Sequence, residues 1–89
     1  MRCVLSVLGK DRSGIVAAIA NTLASHGANI DDISQTILDG IFSMTMMVTL
    51  DPEQGDFNTV QEALAKDGEE LGVQVLLQRE DVFQYMYKL

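Results

Sequence analysis

One cysteine and one histidine are all that the chain offers among the side chains that most often bind soft metals or act as nucleophile and base. Cys3 has no partner for an intramolecular disulfide, and a cysteine-rich zinc site is excluded. Cations are scarce as well: six Lys and Arg stand against thirteen acids, a formal net charge of −7. Phosphate recognition needs a basic surface, so DNA and RNA are disfavoured as partners, and an anionic membrane surface equally so. No apolar run is long enough to span a bilayer. The apolar start is broken by Arg2 and then by Lys10-Asp11-Arg12, which makes a poor signal peptide. A reduced, cytoplasmic setting is the default expectation.

What is present describes a small folded domain. The 89 residues leave room for one domain, and 47% hydrophobic against 21% charged residues is a globular composition, not a disordered one. A chain of this size buries only about two-thirds of its unfolded surface, so covering more of it by dimerisation would help. The acids cluster: Asp51, Glu53, Asp56, Glu62, Asp67, Glu69 and Glu70 lie in one segment with Lys66 as the one cation. The plain reading of that segment is a solvated helix face.

The hydrophobic pattern gives the order of elements. Arg2 to Leu8 reads as a buried strand bounded by Gly9, with Cys3 a small hydrophobe in it. Ile15, Ile19 and Leu23 recur every four residues beside Val16, among alanines, and mark a helix from Ile15 to Ala24. Gly27 suits its left-handed cap, with His26 near the negative end of the helix dipole. Asn29 to Leu38 is a second strand with Ile33 and Ile37 on one face, and Asp39-Gly40 is a two-residue hairpin turn. Ile41 to Leu50 is a third strand. Phe42, Met44, Met46, Val48 and Leu50 lie on one face, and Ile41, Ser43, Thr45, Met47 and Thr49 on the other, which carries no charge. Asp51-Pro52 ends it. Asp56 to Leu71 is a second helix with Phe57, Val60, Leu64 and Leu71 on one stripe, closed by Gly72. Val73 to Arg79 is a fourth strand. The tail from Asp81 has a helical pattern through Val82, Met86 and Leu89, flanked by Phe83 and Tyr87, and Asp81 can cap it.

Strand, helix, strand, strand, helix, strand is the split βαβ order. It predicts an α+β, ferredoxin-like βαββαβ sandwich: a four-stranded antiparallel sheet with two helices on one face, plus a short C-terminal helix. The other face lacks a cover of its own, which a dimer mate or the tail helix would supply.

Chemistry is thinly supplied. His26 stands alone at a helix end, far in sequence from Cys3, so no nucleophile–base pair is expected. Asp31 and Asp32, as neighbours on a strand, are expected on opposite faces and so do not form an acid–base pair. With His26 they are at most a weak metal set. No catalytic residue, metal or cofactor is expected. A copper-chaperone site needs a cysteine pair after the first strand, and an RNA-recognition surface needs aromatics on the central strands, where only Phe42 stands.

What remains is the loop Gly9-Lys10-Asp11-Arg12-Ser13-Gly14 before the first helix. Gly9 and Gly14 permit close approach of backbone to a ligand. Asp11 or Arg12 is the expected cap. The free N–H groups of Ser13, Gly14 and Ile15 would face a small anion such as a carboxylate, with Arg12 adding a charge-assisted bond. From spacing alone the plainer reading is favoured: a turn, with Asp11 and Arg12 as cap and surface ion pair. A second segment, Gly27-Ala28-Asn29-Ile30, enters the second strand from the far end of the first helix, about 20 Å away in the same subunit. A small ligand touching both therefore requires two subunits.

Gly9-Lys10-Asp11-Arg12-Ser13-Gly14-Ile15-Val16 followed by Gly27-Ala28-Asn29-Ile30-Asp31-Asp32-Ile33 resembles the opening of an ACT domain. The order of strands and helices fits, and the resemblance spans residues 1–79, leaving 80–89 as a C-terminal extension. The first half is also similar to the ACT domains of the glycine cleavage repressor and of formyltetrahydrofolate deformylase, and Ile33-Ser34-Gln35-Thr36 and Gln78-Arg79-Glu80-Asp81 resemble stand-alone ACT proteins. The resemblance implies a regulatory module that senses an amino acid at a homodimer interface. Asp11, Arg12, Ser13, Gly14 and Ile15 of one subunit would then face Asn29, Ile30 and Asp31 of the other. Backbone amides would hold the ligand carboxylate, and Asn29, or the carboxylate of Asp11 or Asp31, its ammonium. It raises ligand binding above the turn-only reading. The other reading is a ligand-free dimerisation module acting on a partner enzyme or regulator.

Overall fold

Alternating apolar residues build the centre of the sheet. The structure, a computed structural model, describes residues 1–82. Strand β1 (Arg2–Lys10) pairs on one side with β3 (Ile41–Thr49) and on the other with β4 (Val73–Arg79), and β2 (Asn29–Leu38) pairs with β3. All three pairings are antiparallel, and the strand order is β2-β3-β1-β4. Helices α1 (Ile15–Ser25) and α2 (Phe57–Leu71) cover one face, giving the expected ferredoxin-like sandwich. Residues 80–82 are helical; the rest of the expected tail helix, residues 83–89, lies outside the described residues.

The core is the layer between sheet and helices. Cys3, Leu5 and Val7 of β1 and Phe42, Met44, Met46 and Val48 of β3 point into it, opposite Ile15, Ile19 and Leu23 of α1 and Val60 and Leu64 of α2. Burial pushes the Cys3 thiol up, away from the thiolate that reactivity requires. The helices are also tied to each other, the Thr22 hydroxyl donating to the Asp67 carboxylate.

The turns follow the local chemistry. Asp39 (φ 51°) and Gly40 (φ 77°) both take positive φ, the twist a two-residue hairpin needs. At the end of α1 the Gly27 N–H donates to the Ala24 carbonyl (3.1 Å) and the Ala28 N–H to the Leu23 carbonyl (2.9 Å), which closes the helix with Gly27 left-handed. Helix α2 starts at Phe57, and Asp56 caps it by accepting from the Thr59 N–H at 2.8 Å. That bond holds the Asp56 carboxyl below its ordinary value. The acidic segment is thus not merely a solvated face: Asp51 also folds its turn, accepting from the Glu53 N–H (3.0 Å) and the Gln54 amide (3.0 Å).

Two expectations need correcting. Strand β1 runs past Gly9 to Lys10, because Gly9 pairs with both Phe42 and Val73. The space Gly9 leaves is taken by protein, not kept for a ligand. A Cβ there would lie 2.7 Å from Val73 Cγ1 and 3.0 Å from Val73 Cα. We expect Gly9→Ala to push β4 away from β1 and to lower the unfolding free energy by about 1–3 kcal/mol. Urea melts would show it, and an unchanged midpoint would mean that β4 gives way freely.

Candidate functional site

The loop between β1 and α1 is shorter than its sequence implies, because the strand takes up Gly9 and Lys10. It comprises residues 11–14, all exposed. The Asp11 N–H donates to the Gly40 carbonyl at 2.8 Å, which fixes the loop against the β2–β3 hairpin. The capping position of α1 is Gly14, at φ 88°, with no side-chain cap bond; neither Asp11 nor Arg12 fills it. The first intrahelical bond runs from the Ala18 N–H to the Gly14 carbonyl. The N–H groups left over by helix geometry are therefore those of Ile15, Val16 and Ala17, two residues further along than expected. The Ile15 side chain is buried in the core, so only its backbone faces outward.

Arg12 does not point at that helix start. Its Nη1 donates to the Leu71 carbonyl at 3.3 Å, where a cation suits the negative end of α2. Lys10, Asp11, Arg12, Leu71 and Gly72 line an open hollow of about 380 Å³. A larger hollow of about 600 Å³ lies alongside, under Leu8, Gly9 and Ile41. Asp11 and Arg12 thus flank the end of α2, while Ser13 and Gly14 lead into the start of α1.

Asn29, Ile30 and Asp31 sit at the opposite end of the sheet. Asn29 pairs with Thr49, and Thr49 with Arg2; the loop follows Lys10. The length of β1 separates them, roughly 26 Å at strand rise. Within one chain the two candidate segments do not meet.

The segment around Asp31 is more structured than its sequence suggests. The β2–β3 register shifts between Ile30 and Asp32, leaving Asp31 as the extra residue of a bulge. Asp31 and Asp32 are therefore not on opposite faces. Asp32 is paired with Met47, and the Asp31 carboxylate meets Thr49 and Arg2, all on the face away from the helices. The two carboxylates have separate donors. Asp31 accepts from the Asn29 amide (2.7 Å) and the Thr49 hydroxyl (2.6 Å), whereas Asp32 accepts from the Ile33 N–H (2.8 Å). Arg2 Nε lies 3.9 Å from Asp31. The Thr49 and Asn29 bonds, with the Arg2 charge, hold the Asp31 carboxyl below its ordinary 3.8. Arg2 and Thr49 escaped the sequence reading, because only the register of three strands brings them to Asp31.

A lowered carboxyl pKa stabilises the fold above the ordinary value, and the contribution is lost as pH falls through the folded-state value. We therefore expect Asp31→Asn to be less stable than the parent by a constant margin above pH 5, a margin that shrinks as the pH drops below 3.8. Urea melts at pH 7 and pH 3 measure it; equal margins at both would mean that the carboxylate charge is not what the bonds stabilise.

His26 Nδ1 lies 2.8 Å from the Thr22 carbonyl, a local contact at the helix end. Among the described residues no group of three His, Cys, Asp or Glu side chains is placed to hold a metal ion, and no helix is long and apolar enough to cross a membrane.

The sheet and its two helices define a ferredoxin-like α+β domain, and the comparisons show its family. The ACT domain profile matches residues 2–78, so the chain belongs to the ACT domain family, whose members are regulatory ligand-binding modules. It is 53% identical to a UPF0237 protein of Methanocaldococcus jannaschii over 88 residues, covering 99% of this chain and 98% of that one. The solved ACT domain protein from Streptococcus pneumoniae superposes with a TM-score of 0.81 at 41% identity, covering 98% of both chains. The two families the sequence resembles in its first half share the fold. A putative glycine cleavage system transcriptional repressor gives a TM-score of 0.77 at 21% identity, over 86% of this chain and 44% of that one. A formyltetrahydrofolate deformylase from Pseudomonas putida gives 0.81 at 14%, over 91% of this chain and 30% of that one.

Proposed function

We infer that the protein is a non-catalytic sensor of a small amino acid, with the ligand held between two copies of the chain. The observation that carries this reading is β2. It is an edge strand, and all of its residues are exposed. Ile30, Ile33 and Ile37 lie on its helix-facing side and remain 36%, 42% and 61% exposed. An apolar edge of this length asks for a partner strand.

A second copy meets that need in one orientation. Parallel pairing of two β2 edges would set Asp31 and Asp32 against themselves. Antiparallel pairing about a two-fold axis avoids this and brings the partner's Asn29 end to this chain's Leu38 end. Leu38 pairs with Ile41 and, through it, Lys10, and Gly40 holds Asp11. Segments that stand a sheet length apart in one chain thus converge in the pair. The α1 backbone N–H groups, reached past Ser13 and Gly14, would take the ligand carboxylate. Asn29 of the second copy, or the carboxylate of Asp11, would take its ammonium, with the second copy's Ile30 beside it; Asp31 stands behind Asn29 and accepts from its amide. Asp11 and Arg12 border the site from the α2 side. Residues 80–89 extend the domain, and the setting is cytoplasmic.

Titration calorimetry of the full chain against each of the twenty amino acids tests the reading, with sedimentation run in parallel. Saturable heat with at least one of them, at one ligand per chain, is expected. A stable dimer that gives no heat with any amino acid would instead favour the second reading, a dimerisation module acting on another protein.

A further inference from the structure

We propose that residues 83–89 dock on the open face of the sheet, as a lid over Val4. The observation that carries this is one buried valine on the side away from the helices. Cys3 and Leu5 face the helices and belong to the core, so Val4 between them faces away. Val4 stands outside the core cluster, yet it is only 3% exposed. Leu8 lies on the same face of the same strand and is 48% exposed. Sheet neighbours flank a side chain without roofing it: Ser43 and Gln74 flank Leu8 and leave it open. Val4 has a roof, and the cover is local. Its register partners Met47 and Gln78 are half-buried, whereas Thr45 and Leu76, next along the same face, are exposed.

The chain itself arrives at the covered end. Strand β4 finishes at Arg79, opposite Cys3, and residues 80–82 turn into a helix there. Arg2, on the same face as Val4, lies 3.4 Å from Glu80 and 3.9 Å from Asp31 through its Nε, which fastens that turn beside β1. Continued as a helix, residues 80–89 measure about 15 Å, the width of about three strands. A helix about 10–12 Å wide, laid across the strands at Val4, stops short of Leu8, about 13 Å further along β1. That accounts for where the cover ends. The sequence suits the place as well. Phe83, Met86 and Tyr87 recur at helical spacing, and Lys88 is the one charged side chain in 83–89, for a face on which β3 carries no charge.

Nuclear Overhauser contacts of the isotope-labelled full chain test the lid directly. Phe42 and Phe57, the aromatic residues within 1–82, both pack on the helix side. A ring that touches the Val4 methyls therefore comes from Phe83, Tyr85 or Tyr87, and such contacts within one chain are expected. Isotope-filtered spectra of mixed labelled and unlabelled chains reveal a second copy as the cover instead. Contacts across copies, or none between Val4 and residues 83–89, would overturn the lid. Thermal melts give the energetic check. Val4→Ala should lower the melting temperature of the full chain by about 5–10 °C, and by much less in a chain ending at Val82, where the valine has lost its roof. Equal shifts in the two backgrounds would overturn the lid as well.

Discussion

Ile37→Lys is expected to leave the fold intact and break the dimer. Ile37 lies on the exposed edge strand at 61% exposure, so its loss removes nothing from the core of the single chain. In the proposed two-fold pairing it would stand beside the partner's edge strand, and a lysine there would place a charged ammonium in an apolar seam. Well-packed apolar interface positions are worth about 2 kcal/mol, roughly a thirty-fold change in dissociation constant. Lysine on an edge strand is also the device by which proteins prevent strand-to-strand association. Sedimentation equilibrium would show monomers at concentrations where the parent is dimeric, and amino-acid binding should fall with the dimer. A variant that stays dimeric would move the interface off β2.

Leu64→Ala is expected to have the larger effect on folding. Leu64 is 1% exposed, in the middle of the α2 stripe formed by Val60, Leu64 and Gly68. The two neighbours cannot fill its place. Gly68 has no side chain, and a Cβ on it would already lie 2.9 Å from the Val73 carbonyl oxygen and from Val75 Cγ2, so α2 is seated as close to β4 as it can go. A cavity would remain, costing about 2–5 kcal/mol. A domain of this length has a total stability on the order of 4–13 kcal/mol, so the loss is a large share of the whole. Thermal melts of the parent and variant measure it. A shift of only a degree or two would mean that the helix settles into the gap.

Much of the fold was legible because its signals are local. Asp39-Gly40 announces the hairpin, and the alternation from Ile41 to Thr49 announces a strand with one buried face. Gly27 and Gly72 stop their helices in the left-handed conformation. The errors arise where pairing across the sheet outweighs local preference. Gly9 reads as a strand end, yet Val73 closes over it and the strand continues to Lys10. That extension shortens the loop and passes the capping role to Gly14, which no side-chain cap signal marks. The bulge at Asp31 has no glycine to betray it, so strict alternation placed Asp31 and Asp32 on opposite faces.

The candidate site was legible in a different way. Its residues were found through the family resemblance and the anion-binding chemistry of a helix start, and the separation of its halves followed from topology. Their neighbours were not. That Arg12 would reach the Leu71 carbonyl depends on where α2 ends in space, and that Arg2 would stand between Asp31 and Glu80 depends on the order β2-β3-β1-β4.

Subunit complementation tests the shared site most directly. One variant carries Gly14→Val, which blocks the approach to the α1 amides, and the other Asn29→Ala, which removes the side-chain amide; neither is expected to bind an amino acid alone. Mixed in equal amounts and allowed to exchange, they form heterodimers in which one site has both parental halves and the other has neither. The account predicts that about a quarter of the parental binding sites return, since half of the dimers are mixed and each regains one of its two sites. No recovery in a mixture shown to exchange subunits would mean that each site lies within a single chain.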